Sequence, residues 1–167
     1  MRNILLLIIL LQSVAFCEST ITGPKFGPQL GEVYKGELNL SLSEEESPWT
    51  KAVYEVTPIS KIVYSIELTS KSESTEKIEG MFEVIRKVLF KKYFENKWAK
   101  ADSANTIVIN NYTDQVSLLA SLRIDRKNRE NRFVVIRYST TKFIDLNTKE
   151  EQTIKMKSFD ENVDLKL

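Results

Sequence analysis

Apolar and polar residues alternate along this chain at two different periods, and the switch between periods marks its elements. From Val33 to Leu42 the period is two, with Leu38, Leu40 and Leu42 on one face and Glu37, Asn39 and Ser41 on the other. That alternation predicts a half-buried strand. Two more strands are predicted over Lys51–Thr57 and Ser60–Thr69, the second placing Ile62, Tyr64, Ile66 and Leu68 on one face. Pro58 lacks the N–H that a ladder needs, so the break between them falls there. From about Thr75 to Asn96 the period becomes helical, carried by Ile78, Met81, Phe82, Ile85, Val88 and Leu89. Ser74 or Thr75 offers an N-cap, Glu76 and Glu79 suit the positive end of the helix dipole, and Lys91, Lys92 and Lys97 suit the far end. Gly80 weakens this helix by about 1 kcal/mol relative to Ala, or else permits close packing on a sheet.

Period two then returns. A strand is predicted over Thr106–Asn110, and a hairpin pairs Gln115–Ile124 with Arg132–Thr140 across the charged Asp125–Asn131. Val116, Leu118, Ala120, Leu122 and Ile124 alternate, whereas Phe133–Ile136 is a continuous apolar run, as expected of a strand buried on both faces. Thr148 with Glu151 makes a capping box, which predicts a short helix over about Thr148–Lys157. Strands joined by short turns favour antiparallel pairing. The apolar stripe of the long helix has one face of that sheet as its only large partner. The expected fold is α+β and two-layer: a mostly antiparallel sheet of about six strands packed on one long helix, with room for a short C-terminal helix.

Ahead of these elements, residues 18–31 carry Gly23-Pro24, Gly27-Pro28 and Gly31, which break helix and strand alike. This reads as a leader loop from which Phe26 and Leu30 can dock on the core. Earlier still, Arg2, the apolar run Ile4–Leu11 and the small residues Ser13-Val14-Ala15 follow the order of a secretory signal peptide. A membrane-spanning helix needs roughly 20 apolar residues, more than this run supplies. The expected organisation is a signal peptide over 1–17, a Gly/Pro-rich leader over 18–31 and a single α+β domain over 32–167. Cleavage after Ala15, cleavage after Cys17 and acylation of Cys17 as a bacterial lipoprotein all remain open, although Phe16 stands where the lipoprotein pattern expects a small residue. The expected location is periplasmic or secreted, with the membrane reached only through acylation of Cys17.

Charge narrows the partners. The chain has 24 Lys and Arg against 23 Asp and Glu, and removal of the signal takes away Arg2 and no acid, leaving the mature domain formally neutral. Neutrality gives no basis for general nucleic-acid binding, which rests on phosphate neutralisation. The roughly 150 residues that remain are enough to bury about 70% of the unfolded chain's surface. Cys17 is the only cysteine, so no intrachain disulfide forms and stability rests on the apolar core.

Histidine is absent altogether. Cys–His and Ser–His–Asp machinery and the usual zinc sites therefore lack the residues that build them, and no metal or cofactor is expected. Carboxylates remain available for acid–base work. The candidates are Glu37, Glu55 and Glu67, each on a predicted strand, with solvated surface charge as the blander reading. Glu44–Glu46 lacks the Asp/Asn-Gly framework of a calcium loop and reads as a solvated turn. Arg123, Arg126, Lys127, Arg129 and Arg132 form the densest basic cluster, either a surface for an anionic partner or a charged hairpin tip that keeps the sheet soluble. Trp49 and Trp98 either anchor a partner or cap the edge of the core. Asn39-Leu40-Ser41 and Asn111-Tyr112-Thr113 match glycosylation sequons, which carry weight in a eukaryotic host.

Several of these residues also form a pattern. Phe26-Gly27, Tyr54-Glu55-Val56-Thr57-Pro58, a helix ending Leu89-Phe90-Lys91-Lys92-Tyr93, Trp98 and a late strand ending in Tyr138 together resemble a group of small, uncharacterised bacterial periplasmic proteins. The resemblance spans about residues 26–160. It departs from the group at Phe94, where a Gly is usual, and in lacking a second Cys. It implies a periplasmic α+β domain and carries over no catalytic residue. The function expected is a non-catalytic binding or accessory module of the cell envelope. The alternatives are a small-ligand or lipid binder with a pocket lined by Met81, Phe82 and Ile85, and a carboxylate-based hydrolase.

Overall fold

The structure is a computed structural model that describes residues 27–43, 47–93 and 99–164. The signal peptide with Cys17, the first part of the leader with Phe26, the Glu44–Glu46 turn, Phe94 and Trp98 lie outside the described residues. The described chain is α+β, with eight strands and two helices. The strands are β1 (Asn39–Ser41), β2 (Trp49–Val56), β3 (Val63–Ser70), β4 (Glu73–Ser74), β5 (Ala99–Ser103), β6 (Thr106–Asn111), β7 (Val116–Ile124) and β8 (Asn131–Thr140). The helices are α1 (Thr75–Lys92) and α2 (Ile144–Asp164). One antiparallel sheet runs in the order β1-β2-β3-β8-β7-β6-β5, with the two-residue β4 pairing with β8 off that path.

The inner face is assembled in rows across the strands. Tyr54, Ile66, Tyr138, Leu118 and Ile109 stand side by side in one row. Ala52, Leu68, Ile136, Ala120 and Ile107 form the next, and all ten side chains are buried. Helix α1 lays Ile78, Phe82, Ile85 and Leu89 over β7 and β8, the single stripe that its sequence period requires. Arg86 fastens the helix to the sheet edge. Its guanidinium sits 5.2 Å from the Phe82 ring centroid, its Nε donates to Asp102 (3.1 Å), and its terminal nitrogen donates to the Ser103 carbonyl (2.7 Å).

The sheet has two strands more than the pattern suggests. The short β4 and the polar β5 are pairings that a period-two search passes over. Ladder hydrogen bonds need only backbone, so Lys100, Asp102 and Ser103 join the edge without an apolar alternation. The strand expected from Val33 shrinks to Asn39–Ser41, and Val33 itself makes only an isolated bridge to Ile62. Leu38 is 40% exposed, whereas Leu40 and Leu42 pack against the core.

Two register shifts correct which face a residue takes. Glu55 opposes Ser65 and Val56 opposes Val63, so Tyr64 is an extra residue. Val63 therefore turns into the core in place of Tyr64, which sits half-buried on the outer face. Likewise Trp49 opposes Ser70 and Lys51 opposes Thr69, leaving Thr50 as the extra residue. That shift rotates Trp49 inward, where it is 3% exposed.

The described leader residues dock on the sheet. Gly31 N–H donates to the Val63 carbonyl (2.8 Å), Tyr34 N–H to that of Lys61 (2.8 Å), and Leu30 and Tyr34 pack against the core. The C-terminal helix starts at Ile144, before the expected Thr148. The Thr148 hydroxyl donates back to the Ile144 carbonyl inside the helix, so the capping box does not form there. No helix among the described residues is long and apolar enough to cross a membrane.

Candidate functional site

The β7–β8 hairpin gathers the basic cluster at one end of the sheet. Its cross-strand pairs Arg123–Phe133 and Ile124–Arg132 lead into the connecting loop. That loop is fixed by its own polar residues. Asp125 N–H donates to the Asn131 carbonyl (3.0 Å), Asn131 N–H to that of Asn128 (3.0 Å), and Glu130 N–H to Asn128 Oδ1 (3.2 Å). The loop is also tied to the chain that leads into α1. Ser72 Oγ donates to Asp125 Oδ2 (2.6 Å), and Thr75 Oγ1 donates to the Glu130 carbonyl (2.8 Å).

Asp125 is spent on these contacts. The Ser72 hydroxyl, followed by the Lys127 N–H at 2.8 Å, holds its carboxyl below the usual aspartate range. Arg132 is half-buried and lies 3.6 Å from Glu79 on α1, while Arg123 donates to the Ser121 hydroxyl (3.2 Å). Arg126, Lys127 and Arg129 are left exposed on a well-braced loop, with no ion pair to a carboxylate among the described residues. The sequence pattern locates this cluster, and the structure sets Arg132, which reaches α1, apart from the exposed cations.

The other candidates do not converge with it. Trp49 belongs to the core, which removes it as a partner-facing residue. Glu37 lies exposed ahead of β1 rather than on a strand. Glu55 and Glu67 share the outer face of β2 and β3, and Glu67 is held by Arg137 across the strand pair at 2.9 Å. Phe82 and Ile85, expected to line a ligand pocket, are 1% and 0% exposed and belong to the core cluster, while Met81 packs at its margin. No group of His, Cys, Asp or Glu able to hold a metal ion occurs among the described residues.

Two features had no signal in the sequence. The Tyr54 hydroxyl is buried without a hydrogen-bond partner among the described residues, and its ring meets that of Tyr34 with centroids 5.2 Å apart. Burial, and then the neighbouring Tyr34, pushes its pKa up. Burial also pushes Tyr138 up to about 12, and burial followed by the adjacent Tyr138 lifts Tyr93 well above the ordinary tyrosine range.

The second feature is Glu150 on α2, which is 6% exposed and closes over the β2–β3 turn. Its carboxylate accepts Ile59 N–H (2.6 Å), Ser60 N–H (3.1 Å) and the Ser60 hydroxyl. Burial by itself would raise its pKa. The bonds from Ser60, Ile59 and the Thr57 hydroxyl outweigh burial and hold it below the usual glutamate range. Sequence offers no cue that residues so far apart would meet.

Compared with known protein families, curated proteins and solved structures, the chain matches none. Its reading therefore rests on its own residues.

Proposed function

We propose that this protein is an exported, non-catalytic binding module of the cell envelope that meets an acidic surface on an envelope protein through the tip of the β7–β8 hairpin. The observation that carries this reading is the braced loop with Arg126, Lys127 and Arg129 turned outward while Asp125 is engaged from within. A loop held by at least four backbone and side-chain bonds loses little freedom when a partner docks, which is what preorganisation contributes to affinity. Clustered exposed cations steer an acidic partner and make association depend on ionic strength.

The test is capture from envelope extract with the wild-type domain and with the charge-reversed Arg126→Glu/Lys127→Glu/Arg129→Glu variant. The expected result is a specific acidic protein retained by the wild type, released by salt and lost with the variant. Recovery of no specific protein, or equal retention by both, overturns the reading.

A small-ligand site beside Tyr54, where the leader crosses β2, is a second reading, supported by a Tyr54 hydroxyl that has no hydrogen-bond partner among the described residues. It predicts that a hydrogen-bond acceptor ligand shifts the Tyr54 resonances while Tyr54→Phe abolishes binding.

A further inference from the structure

The two sequons are equivalent as sequence and opposite as structure. Asn111 is 2% exposed, at the end of β6. Its Nδ2 donates to Asp114 Oδ2 (2.7 Å), and its Oδ1 accepts the N–H groups of Thr113 (3.0 Å) and Asp114 (3.1 Å). The side chain is thus the keystone of the β6–β7 turn, in which Gln115 has a φ of 55°. A sugar on that nitrogen would have to fit where almost no surface is open, beside a donor already engaged by Asp114.

Asn39 has the contrary setting. It is exposed on β1, the edge strand, and pairs with Val53 on one side only. Leu40 packs against the core, so Asn39 and Ser41, two residues apart on a strand, project together from the opposite face. The asparagine amide and the sequon hydroxyl are therefore both accessible. No bond within the described fold has to break for Asn39 to be modified.

We infer that Asn39 is an N-glycan acceptor and that Asn111 is not. The donor class is a lipid-linked oligosaccharide. Asn39 Nδ2 forms the bond to the anomeric carbon, the anomeric carbon–oxygen bond to the lipid diphosphate breaks, the diphosphate leaves, and one amide proton is lost to a base. The reaction involves no change of oxidation state. It takes place on the non-cytosolic side of a membrane in a host that makes such donors, so the inference rests on the export reading and on that host chemistry. An oligosaccharide at Asn39 also shields an open strand edge, whose unpaired N–H and C=O groups would otherwise template strand addition.

The test uses the full chain with its own signal peptide, secreted from cultured animal cells and analysed by intact mass before and after peptide N-glycosidase. The expected product carries one oligosaccharide, lost in Asn39→Gln and in Ser41→Ala. It is unchanged in Thr113→Ala, which destroys the second sequon but keeps the Asn111 side chain and its backbone partners. A chain whose signal peptide has been removed but which bears no sugar overturns the Asn39 assignment alone. So does a sugar that disappears with Thr113→Ala. A chain that keeps its signal peptide and stays in the cell overturns the export reading and the assignment together.

Discussion

Replacing Gly80 with alanine should make this protein more stable, although Gly80 stands on the helix that closes the core. Gly80 lies well inside α1 (Thr75–Lys92) and is exposed. A Cβ placed on it meets no atom within 4 Å, so the methyl adds no clash and gains no burial. What remains is backbone entropy. Glycine inside a helix costs about 0.8–1.0 kcal/mol relative to alanine, much of it because the unfolded chain has more conformations to surrender. With no packing change to offset it, the full amount should appear in equilibrium unfolding. The melting temperature should rise by roughly 3 °C for a domain of this size. Urea denaturation followed by circular dichroism, with the slope unchanged, measures the gain. A loss of stability would show that Gly80 is pressed against a neighbour, and that α1 sits on the sheet with another face than the one carrying Ile78, Phe82, Ile85 and Leu89.

Further expectations test other parts of the fold. Phe82→Ala should cost about 3–5 kcal/mol in the same denaturation experiment, because a 1%-exposed ring leaves a cavity under α1. A cost below about 1 kcal/mol would be incompatible with that burial. Tyr54→Phe should be neutral or stabilising by about 1 kcal/mol, since it removes a buried hydroxyl that has no partner among the described residues. Gly27→Ala should destabilise by more than about 1 kcal/mol, because Gly27 has a φ of +74° and its Cβ would overlap the Tyr54 hydroxyl. Part of that loss should return in the Gly27→Ala/Tyr54→Phe double variant.

Glu150 predicts a pH effect of defined sign. Its folded pKa is lowered, so its stabilisation is present above the ordinary glutamate value, near about 4.3, and is lost as pH falls through the folded value. Asp125 shifts in the same direction, so the readout must be local. Amide-exchange protection factors of Ile59 and Ser60, measured by NMR, should fall at acid pH in the wild type and should already be low at neutral pH in Glu150→Gln. Equal protection in the variant at neutral pH would refute the clamp.

Periodicity locates the α+β class, the long helix and the paired strands on either side of it, because a face that must be buried leaves its mark every second or every fourth residue. The stripe of Ile78, Phe82, Ile85 and Leu89 and the alternation of Leu118, Ala120 and Leu122 are legible in that way. Local pattern also finds the basic hairpin tip and both sequons. It misses β5, whose ladder uses backbone alone. It also assigns Tyr64 to the core and leaves Trp49 open between core edge and partner surface, because a one-residue bulge reverses every side chain beyond it and has no reliable signature of its own.

Long-range juxtaposition lies further still from what a linear pattern can hold. Glu150 meeting Ile59 and Ser60, Ser72 bracing Asp125, and Asn111 buried while Asn39 is open all depend on which strands become neighbours. The chain's own alternation thus settled what must be hidden from water. Only the folded sheet decided which of the remaining polar groups are consumed in holding it together and which are left to act.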